Sequence, residues 1–406
     1  MNSVESFKNA MNIVESVINK TDLIYCNELS CKYNNNIYLK PENFQKTGSY
    51  KIRGAYYKIS LLTDEEKSKG LITSSAGNHA QGVAYAAKEM NIRAKVVMPT
   101  TTPLVKVNRT KSYGAEVILH GDCYDEASDY AKKMSLEEGY TYIHPFNDLD
   151  IATGQGTIAY EILKELPEVD VILVPIGGGG LSSGVSTLVK MLMPHVEVIG
   201  VEPVGAASMK YSIEMNKASV LNKVDTIADG VAVKAPGDKV FPYIKENISD
   251  IILIDDNELI DAFLSLMENH KMIVEYAGLL TVAALEHIKF RNKNVVSILS
   301  GGNMDVITMA SLVQHGLINR GRIFTFGVYL PDRPGELVNV ANIISKENGN
   351  IIKLDHNQFV SINRNKAVEL VITLEAFGHD HKNKILKKLK DKGYEPVLKE
   401  TKNLYD

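Results

Sequence analysis

The chain has 406 residues, of which 45% are hydrophobic and 23% charged, and its 45 Lys and Arg against 49 Asp and Glu give a net charge of −4. This length predicts two or three folding units of about 150 residues each, and the absence of a basic excess argues against a nucleic-acid partner. The apolar runs are far shorter than the ~20 residues that cross a bilayer, and the N-terminus lacks a secretory-signal pattern. Cys26, Cys31 and Cys123 match neither a disulfide framework nor a zinc site. We expect a cytoplasmic protein that binds neither nucleic acid nor membrane.

The middle of the chain predicts a parallel sheet covered by helices. Buried strands are predicted at residues 94–99, 171–176, 196–202 and 295–300, with helices at 157–166 and 181–193. This alternation predicts an α/β fold, in which ligands bind beyond the carboxyl ends of the strands.

The pattern changes near residue 320. Residues 315–322 are polar and contain glycine, which is typical of a linker. The predicted elements beyond it are a strand at 324–330, a helix from 337 closed by Gly349, strands at 351–354 and 368–374, a helix at 381–392 and a strand at 394–398. This βαββαβ order predicts a ferredoxin-like domain. It has no obvious nucleophile, so we expect it to serve in regulation or assembly.

Lys51 lies in the segment KPENFQKTGSYKIRGA at residues 40–55. It follows a glycine-containing turn and precedes Ile52 at a predicted helix N-terminus. Apolar surroundings disfavour the ammonium form and favour an amine that can form a Schiff base. The alternative is a solvated surface lysine.

Two glycine-containing loops predict anion-binding sites. The loop SSAGNHA at residues 74–80 exposes backbone N–H groups before a predicted helix, which suits a carboxylate, although it also fits an N-cap with a solvent-facing His79. The four glycines at 177–180 suit a phosphate at the next helix. A side chain on Gly179 is expected to fill the space where the phosphate approaches the backbone. A dinucleotide fingerprint is excluded because serines stand where its third glycine would be.

The segment SGGN at residues 300–303 follows a predicted strand and would be an ordinary turn if it stood alone. Together, an imine-forming lysine, a carboxylate loop, a phosphate loop and a polar strand end are what an amino acid and a phosphorylated aldehyde cofactor require.

At these residues the sequence closely resembles the threonine/serine dehydratases (threonine ammonia-lyases) of the fold-type II pyridoxal-phosphate enzymes. The resemblance covers roughly residues 5–320 and includes HPFNDLDIATGQGTIAYEI at 144–162, TIADGVAV at 226–233 and VEYAG at 274–278. It implies pyridoxal phosphate as the cofactor and a small amino acid as the substrate.

The resemblance also implies a fold: two open, twisted parallel-sheet subdomains. The catalytic domain would span residues 1–320, with the small subdomain, roughly 45–150, inserted into it. Residues 323–406 resemble a single ACT domain, in which DRPGEL at 332–337 is the turn that binds amino acids. The effector-binding residues implied are Asp332, Gly335 and Leu337, and a homo-oligomer, dimer or tetramer, is expected.

Roles for individual residues follow from the same resemblance. Lys51 would hold the cofactor and Ser300 would face its pyridine nitrogen. The other cofactor-binding residues implied are Tyr50, Asn78, Gly177, Gly178, Gly179, Gly180, Leu181, Gly230 and Glu275. The substrate carboxylate would be bound by Ser75, Asn78 and His79.

The implied reaction converts L-threonine to 2-oxobutanoate and ammonia, with L-serine to pyruvate as a side activity. The Lys51 amine would act as general base at the α-carbon. The neutral Ser300 would leave the ring a weak electron sink, which suits elimination. Whether the cofactor phosphate or a water protonates the departing hydroxyl stays open, and so does a biosynthetic or catabolic role, with isoleucine, valine or a nucleotide as effector.

Three alternatives compete with this interpretation. A serine racemase needs an acid on the ring face opposite the lysine, where related racemases have a serine and this chain has Ala76. A β-replacing synthase would carry a shorter TSGNTG-like loop. A non-catalytic amino-acid sensor would be expected to lose Lys51 or the glycine loop.

A metal site is not expected. Related enzymes bind a divalent cation with residues matching Glu202, the Ala206 carbonyl and an aspartate. The aspartate position is Ser208 here, and losing its charge weakens a site for a hard cation.

Overall fold

The computed structural model describes residues 1, 3–358 and 368–401. Within them the strands are β1 (Ile24–Tyr25), β2 (Asn36–Pro41), β3 (Leu71–Ser74), β4 (Ala94–Met98), β5 (Glu116–Leu119), β6 (Thr141–Tyr142), β7 (Val171–Pro175), β8 (Glu197–Pro203), β9 (Asp250–Ile254), β10 (Asn294–Leu299), β11 (Ile323–Leu330), β12 (Asn350–Asn357), β13 (Val368–Glu375) and β14 (Val397–Lys399). The helices are α1 (Val4–Val14), α2 (Asn27–Tyr33), α3 (Lys51–Ser60), α4 (Asp64–Lys69), α5 (Asn78–Glu89), α6 (Leu104–Ser112), α7 (Tyr124–Glu138), α8 (Leu149–Glu165), α9 (Gly180–Leu192), α10 (Ser208–Glu214), α11 (Phe241–Asn247), α12 (Asp256–Ser265), α13 (Tyr276–Ala283), α14 (Val306–Asn319), α15 (Glu336–Lys346) and α16 (His379–Asp391).

The chain divides into two compact units, Met1–Asp305 and Val306–Asp406. The first unit contains a six-stranded sheet in the order β1-β2-β10-β7-β8-β9. Its strands are parallel except for the β1–β2 pair, which is antiparallel. Strands β7 and β10 are almost continuously apolar because helices cover both faces of the sheet.

A second, four-stranded sheet lies in the same unit, in the order β5-β4-β3-β6 with all pairs parallel. The chain leaves the large sheet after β2, builds the small sheet with β3 to β6, and returns to the large sheet at β7. Each sheet has its own apolar core, and helix α3 packs against both α5 of the small sheet and α8 of the large one. The residue that begins α3 therefore lies where the two sheets meet.

The second unit contains an antiparallel sheet in the order β12-β13-β11-β14. With α15 between β11 and β12 and α16 between β13 and β14, this is the predicted βαββαβ order. Alternate residues of β11, including Phe324, Phe326 and Val328, face a core shared with both helices. Of the predicted ACT-like domain, residues 359–367 and 402–406 lie outside the described residues.

Three local predictions were wrong. The predicted linker at 315–322 is mostly helix, because α14 continues to Asn319: apolar residues recur with helical spacing from Val306 to Leu317, and one internal glycine costs only about 1 kcal/mol. The helix predicted to close at Gly349 is followed instead by Asn348 in the left-handed conformation, φ 61°, which asparagine tolerates. The last strand starts at Val397 rather than at residue 394.

Across the described parts of the chain, every helix is too short or too polar to cross a bilayer.

Candidate active site

Strands of both sheets end at one cavity of about 290 Å³. Strand β3 ends at Ser74, β7 at Pro175 and β10 at Leu299, and the loops that follow them line the cavity. All the predicted cofactor and substrate residues line it as well: Tyr50, Lys51, Ser75, Asn78, His79, Gly177, Gly178, Gly179, Gly180, Leu181, Gly230, Glu275 and Ser300. The structure thus brings together residues that are up to 250 positions apart in the chain.

Lys51 is the first residue of α3, and its amine is buried in the cavity wall. Nζ donates a hydrogen bond to the Pro145 carbonyl oxygen at 3.0 Å and lies 5.3 Å from the centre of the Tyr50 ring. Burial lowers the pKa of the amine to about 8, although Glu275 opposes this shift. Part of the population is therefore neutral at pH 7 and more of it at pH 8, as nucleophilic or base chemistry at this nitrogen requires.

The glycine turn connects β7 to α9. Its position permits anion binding because the first N–H groups of a helix lack intrahelical acceptors and lie at the positive end of the helix dipole. Gly179 has φ 96°, a left-handed conformation that favours glycine. A Cβ on Gly178 would lie 2.3 Å from the Phe146 ring, and one on Gly179 would lie 2.6 Å from Ile244 Cδ1. The expectation that a side chain on Gly179 would fill the phosphate space was wrong, because its Cβ points into the protein.

Three amide and carboxylate side chains form a chain of hydrogen bonds along one wall. Asn78 Nδ2 donates to Glu275 Oε1 at 2.5 Å, and Asn303 Nδ2 donates to Asn78 Oδ1 at 2.7 Å. Asn303 Nδ2 also donates to the Thr47 carbonyl oxygen at 2.8 Å. Burial, reinforced by Asp229, raises the pKa of Glu275 to about 7. The orientation of the Asn78 amide is therefore fixed from both ends.

His79 is buried rather than solvent-facing. Its Nε2 lies 3.1 Å from the Ile143 carbonyl oxygen, which can only accept, so Nε2 carries the hydrogen. Burial and then the neighbouring Lys51 lower the pKa of His79 to about 3. The imidazole is therefore neutral, and Nδ1, which has no partner in the described structure, is an acceptor. His79 cannot supply a positive charge to a substrate carboxylate.

The predicted carboxylate loop keeps only some of its backbone donors free. Ser75 N donates to the Val97 carbonyl oxygen at 3.2 Å, and Gly77 N donates to Ser75 Oγ at 3.2 Å. The N–H groups that begin α5 at Asn78 remain without intrahelical acceptors. The loop can therefore hold a carboxylate through neutral donors.

Several residues of the cavity were not singled out from the sequence: Lys106, Tyr124, Pro145, Phe146, Asp229 and Asn303. Asp229 adjoins the predicted Gly230, Asn303 lies in the segment SGGN at 300–303, and Pro145 and Phe146 lie in the quoted segment at 144–162, so a signal was available for those four. No such signal was available for Lys106, because it lies on the polar helix α6, which contains no recognisable motif.

A buried group of charges lies behind Lys51 on α3. Arg53 is fully buried and pairs with Glu42 at 2.8 Å and with Glu161 at 2.6 Å. Lys40 pairs with Glu161 at 2.5 Å, and Thr21 Oγ1 donates to Glu42 Oε1 at 2.7 Å. Two cations thus balance two carboxylates and fasten α3 to β2 and α8.

Glu202 is also buried, at the end of β8. It accepts hydrogen bonds from the backbone N–H groups of Met209 at 2.8 Å and Lys210 at 2.9 Å, and burial raises its pKa to about 7. Both carboxylate oxygens therefore accept hydrogen bonds from N–H groups at the N-terminus of α10. In the described residues, no group of three or more His, Cys, Asp or Glu side chains is arranged to hold a metal ion.

Asp332, Gly335 and Leu337 lie in the second unit and are exposed. Gly335 caps α15 with φ 94°, and the other two flank it. A cavity of about 590 Å³ in this unit is lined by other residues, among them His315, Phe324 and Lys382.

A family model described as pyridoxal-phosphate dependent enzyme matches residues 14–301. The chain belongs to this family. Its cofactor is pyridoxal phosphate, and the predicted fold-type II class is confirmed.

Similar proteins match nearly the whole chain. It is 40% identical over 396 residues to the L-threonine ammonia-lyase of Thermotoga maritima, covering 97% of this chain and 99% of that protein. It is 39% identical over 365 residues to the biosynthetic L-threonine dehydratase IlvA of Lactococcus lactis, covering 88% of each. The solved structure of the processed form of threonine deaminase isoform 2 from Solanum lycopersicum is 38% identical with a TM-score of 0.73, covering 77% of this chain and 94% of that one.

The donors in the cavity fit pyridoxal phosphate. A buried primary amine on Lys51 suits the aldehyde, and the N–H groups of the glycine turn at the start of α9 suit the phosphate. The hydroxyl of Ser300, at the end of β10, suits the ring nitrogen. These residues would hold the cofactor, which would supply an aldehyde to Lys51 and an electron-accepting ring to the bound amino acid.

Proposed function

We propose that the enzyme cleaves L-threonine to 2-oxobutanoate and ammonia, with L-serine to pyruvate as a slower reaction. The observation that carries this proposal is the buried Lys51 amine, with its pKa lowered to about 8, in one cavity with the glycine turn and Ser300. The match to threonine ammonia-lyases over nearly the full chain supports the choice of substrate.

Pyridoxal phosphate, when bound, takes up the electron pair that remains at the α-carbon of an amino acid after its proton leaves. Lys51 Nζ is the base within the cavity that can take this proton, because part of its population is neutral near pH 7 to 8. The β-hydroxyl takes up a proton and leaves as water while the α,β double bond forms, and the α-proton taken by Lys51 balances this proton. Hydrolysis of the resulting enamine consumes one water and yields 2-oxobutanoate and ammonia.

The residue at position 76 favours elimination over racemisation. Racemisation requires a proton donor on the face opposite the lysine, and Ala76, which lines the cavity, has none. Ser300 offers the ring nitrogen a neutral hydroxyl in place of a carboxylate. A weak electron sink favours a reaction in which the departing hydroxyl consumes the electron pair.

We also propose that residues 323–406 form an ACT-like regulatory domain that binds an amino-acid effector, with isoleucine as the first candidate. Its βαββαβ order supports this role. Gly335 at the N-terminus of α15 offers backbone N–H groups to a carboxylate, and the exposed Asp332 can receive an ammonium group. We expect the enzyme to be a homo-oligomer, dimer or tetramer.

The test is a product assay with the purified, cofactor-loaded enzyme. L-Threonine should yield 2-oxobutanoate and ammonia in equal amounts, and L-serine should yield pyruvate with little D-serine. Formation of D-serine at a rate near that of pyruvate would favour a racemase, and no keto acid from either substrate would contradict the proposal.

A further inference from the structure

The charges in the catalytic cavity leave one cation for the substrate. Among the residues that line it, the acids are Asp229 and Glu275 and the cations are Lys51 and Lys106. Lys51 is committed to the cofactor and to the α-proton, and His79 is neutral. An α-amino acid brings a carboxylate, which Asp229, and Glu275 in its charged form, would repel. The loop at 74–80 meets this carboxylate only with neutral donors.

Lys106 has a partner that is easily replaced. Its Nζ lies 2.8 Å from Asp229 Oδ2, and the side chains are 25% and 65% exposed. Ion pairs as open as this contribute little net free energy, because water screens them and solvates both groups when they part. A substrate carboxylate inside the cavity can therefore compete with Asp229 for the ammonium group.

The pair also spans the cavity. Lys106 lies on α6, which packs against α5 beside the small sheet, whereas Asp229 begins the turn Asp229–Val231, which packs against α13 beside the large sheet. Because Asp229 and Gly230 of that turn line the same cavity as Lys51, an ammonium group paired with Asp229 already faces the cavity in which the amino acid would react.

We propose that Lys106 determines specificity for α-amino acids by leaving Asp229 and pairing with the substrate α-carboxylate. This inference rests on the proposed function, since it assumes an amino-acid substrate at the same cavity. The loop at 74–80 then orients the carboxylate through N–H groups, while Lys106 supplies the charge that selects amino acids over simple amines.

The experiment compares two ligands that differ only in the carboxylate, L-threonine and 1-amino-2-propanol. The cofactor-loaded enzyme is titrated with each, and the change in cofactor absorbance gives a half-saturating concentration. For Lys106→Met this concentration should rise about 10- to 100-fold for L-threonine, the cost of losing a charge-assisted bond, and stay within about 2-fold for the amino alcohol. Lys106→Arg should restore most of the affinity.

Two further variants separate partner exchange from a structural link. Asp229→Asn removes the competitor and should lower the half-saturating concentration of L-threonine by roughly 1.5- to 5-fold. Lys111→Met, on the exposed side of the same helix, should change neither ligand.

The proposal is overturned if Lys106→Met weakens both ligands equally or leaves L-threonine unaffected, or if Asp229→Asn weakens L-threonine as Lys106→Met does. Should the wild type bind L-threonine without releasing 2-oxobutanoate, the proposed function fails, yet the paired titrations still decide the role of Lys106.

Discussion

Asn78 donates a hydrogen bond to Glu275 at 2.5 Å, although 197 positions separate the two residues in the chain. One begins α5 beside the small sheet and the other immediately precedes α13 beside the large sheet. The bond therefore links the small-sheet part and the large-sheet part of the unit Met1–Asp305 at the wall of the cavity. Since Asn303 fixes the other end of the same amide, the Asn78 N–H groups can point in only one direction.

Glu275 should act by holding Asn78 in place. Glu275→Gln keeps an acceptor for the amide and should retain kcat/KM for L-threonine within about 10-fold, whereas Glu275→Ala removes the acceptor and should lower it about 10- to 100-fold further. Steady-state rates, with cofactor retention after dialysis as a second readout, check this. Equal losses in both variants would show that the acceptor is unimportant.

The buried charges behind α3 should dominate local stability. Arg53→Met leaves the buried Glu42 and the partly buried Glu161 with one cation fewer, which typically costs about 3–5 kcal/mol. Thermal unfolding should show a large fall in Tm, and adding Glu42→Gln should recover part of it. Lys69→Met, which breaks the exposed pair with Glu65, is the matched control and should change Tm little. An Arg53→Met Tm equal to that of the control would contradict the role assigned to this cluster.

Glu202 should make stability depend on pH. Its pKa rises from 4.5 to about 7 on burial, so between these values the folded protein holds a proton that the unfolded chain has released. The free energy of unfolding should therefore fall as pH rises from about 4.5 to 7, by an amount on the order of 3 kcal/mol. Measured as Tm against pH, this slope should be smaller in Glu202→Gln and unchanged in Glu197→Gln, at an exposed position of the same strand. Parallel curves for wild type and Glu202→Gln would contradict the prediction.

Isoleucine should inhibit the full-length enzyme through the second unit. A coupling of about 1–3 kcal/mol, typical of such effects, would shift the half-saturating threonine concentration by about 5-fold or more. Asp332→Ala should weaken the inhibition, while Asp380→Ala, an exposed aspartate in the first turn of α16, should not. Rates measured with isoleucine, valine, AMP and ADP decide the matter: a response to nucleotides alone would indicate a catabolic enzyme instead.

Much of the catalytic cavity could be predicted because its parts are local motifs. A glycine-rich or small-residue loop between a strand and a helix can be recognised from the sequence alone. Parallel strands bring their carboxyl ends to one edge of a sheet. Lys51, Asn78 and Ser300 could therefore be expected to line the same cavity. The βαββαβ order of the second unit could also be predicted, because apolar residues alternate along its strands and recur with helical spacing along its helices.

What could not be predicted depends on contacts between distant segments. Arg53 looks like a surface residue until Glu42 and Glu161 are brought around it. Lys106 and Asp229 are 123 positions apart. Asp229 adjoins the predicted Gly230, but nothing in the sequence around Lys106 indicates that it faces a cavity. The direction of the Gly179 Cβ depends on α11, which packs beside the turn only in the folded chain.

Replacement of Lys51 tests the central claim most directly. Formation of 2-oxobutanoate from L-threonine is measured for wild type, Lys51→Ala and Lys46→Ala. Lys46 is an exposed lysine that lies just before the glycine-containing turn leading to Lys51. Lys51→Ala should form no detectable product while keeping its Tm and circular dichroism, because the amine is the base and its one hydrogen bond within the described residues is to the Pro145 carbonyl oxygen. Lys46→Ala should match the wild type. Turnover by Lys51→Ala at a sizeable fraction of the wild-type rate would contradict the account.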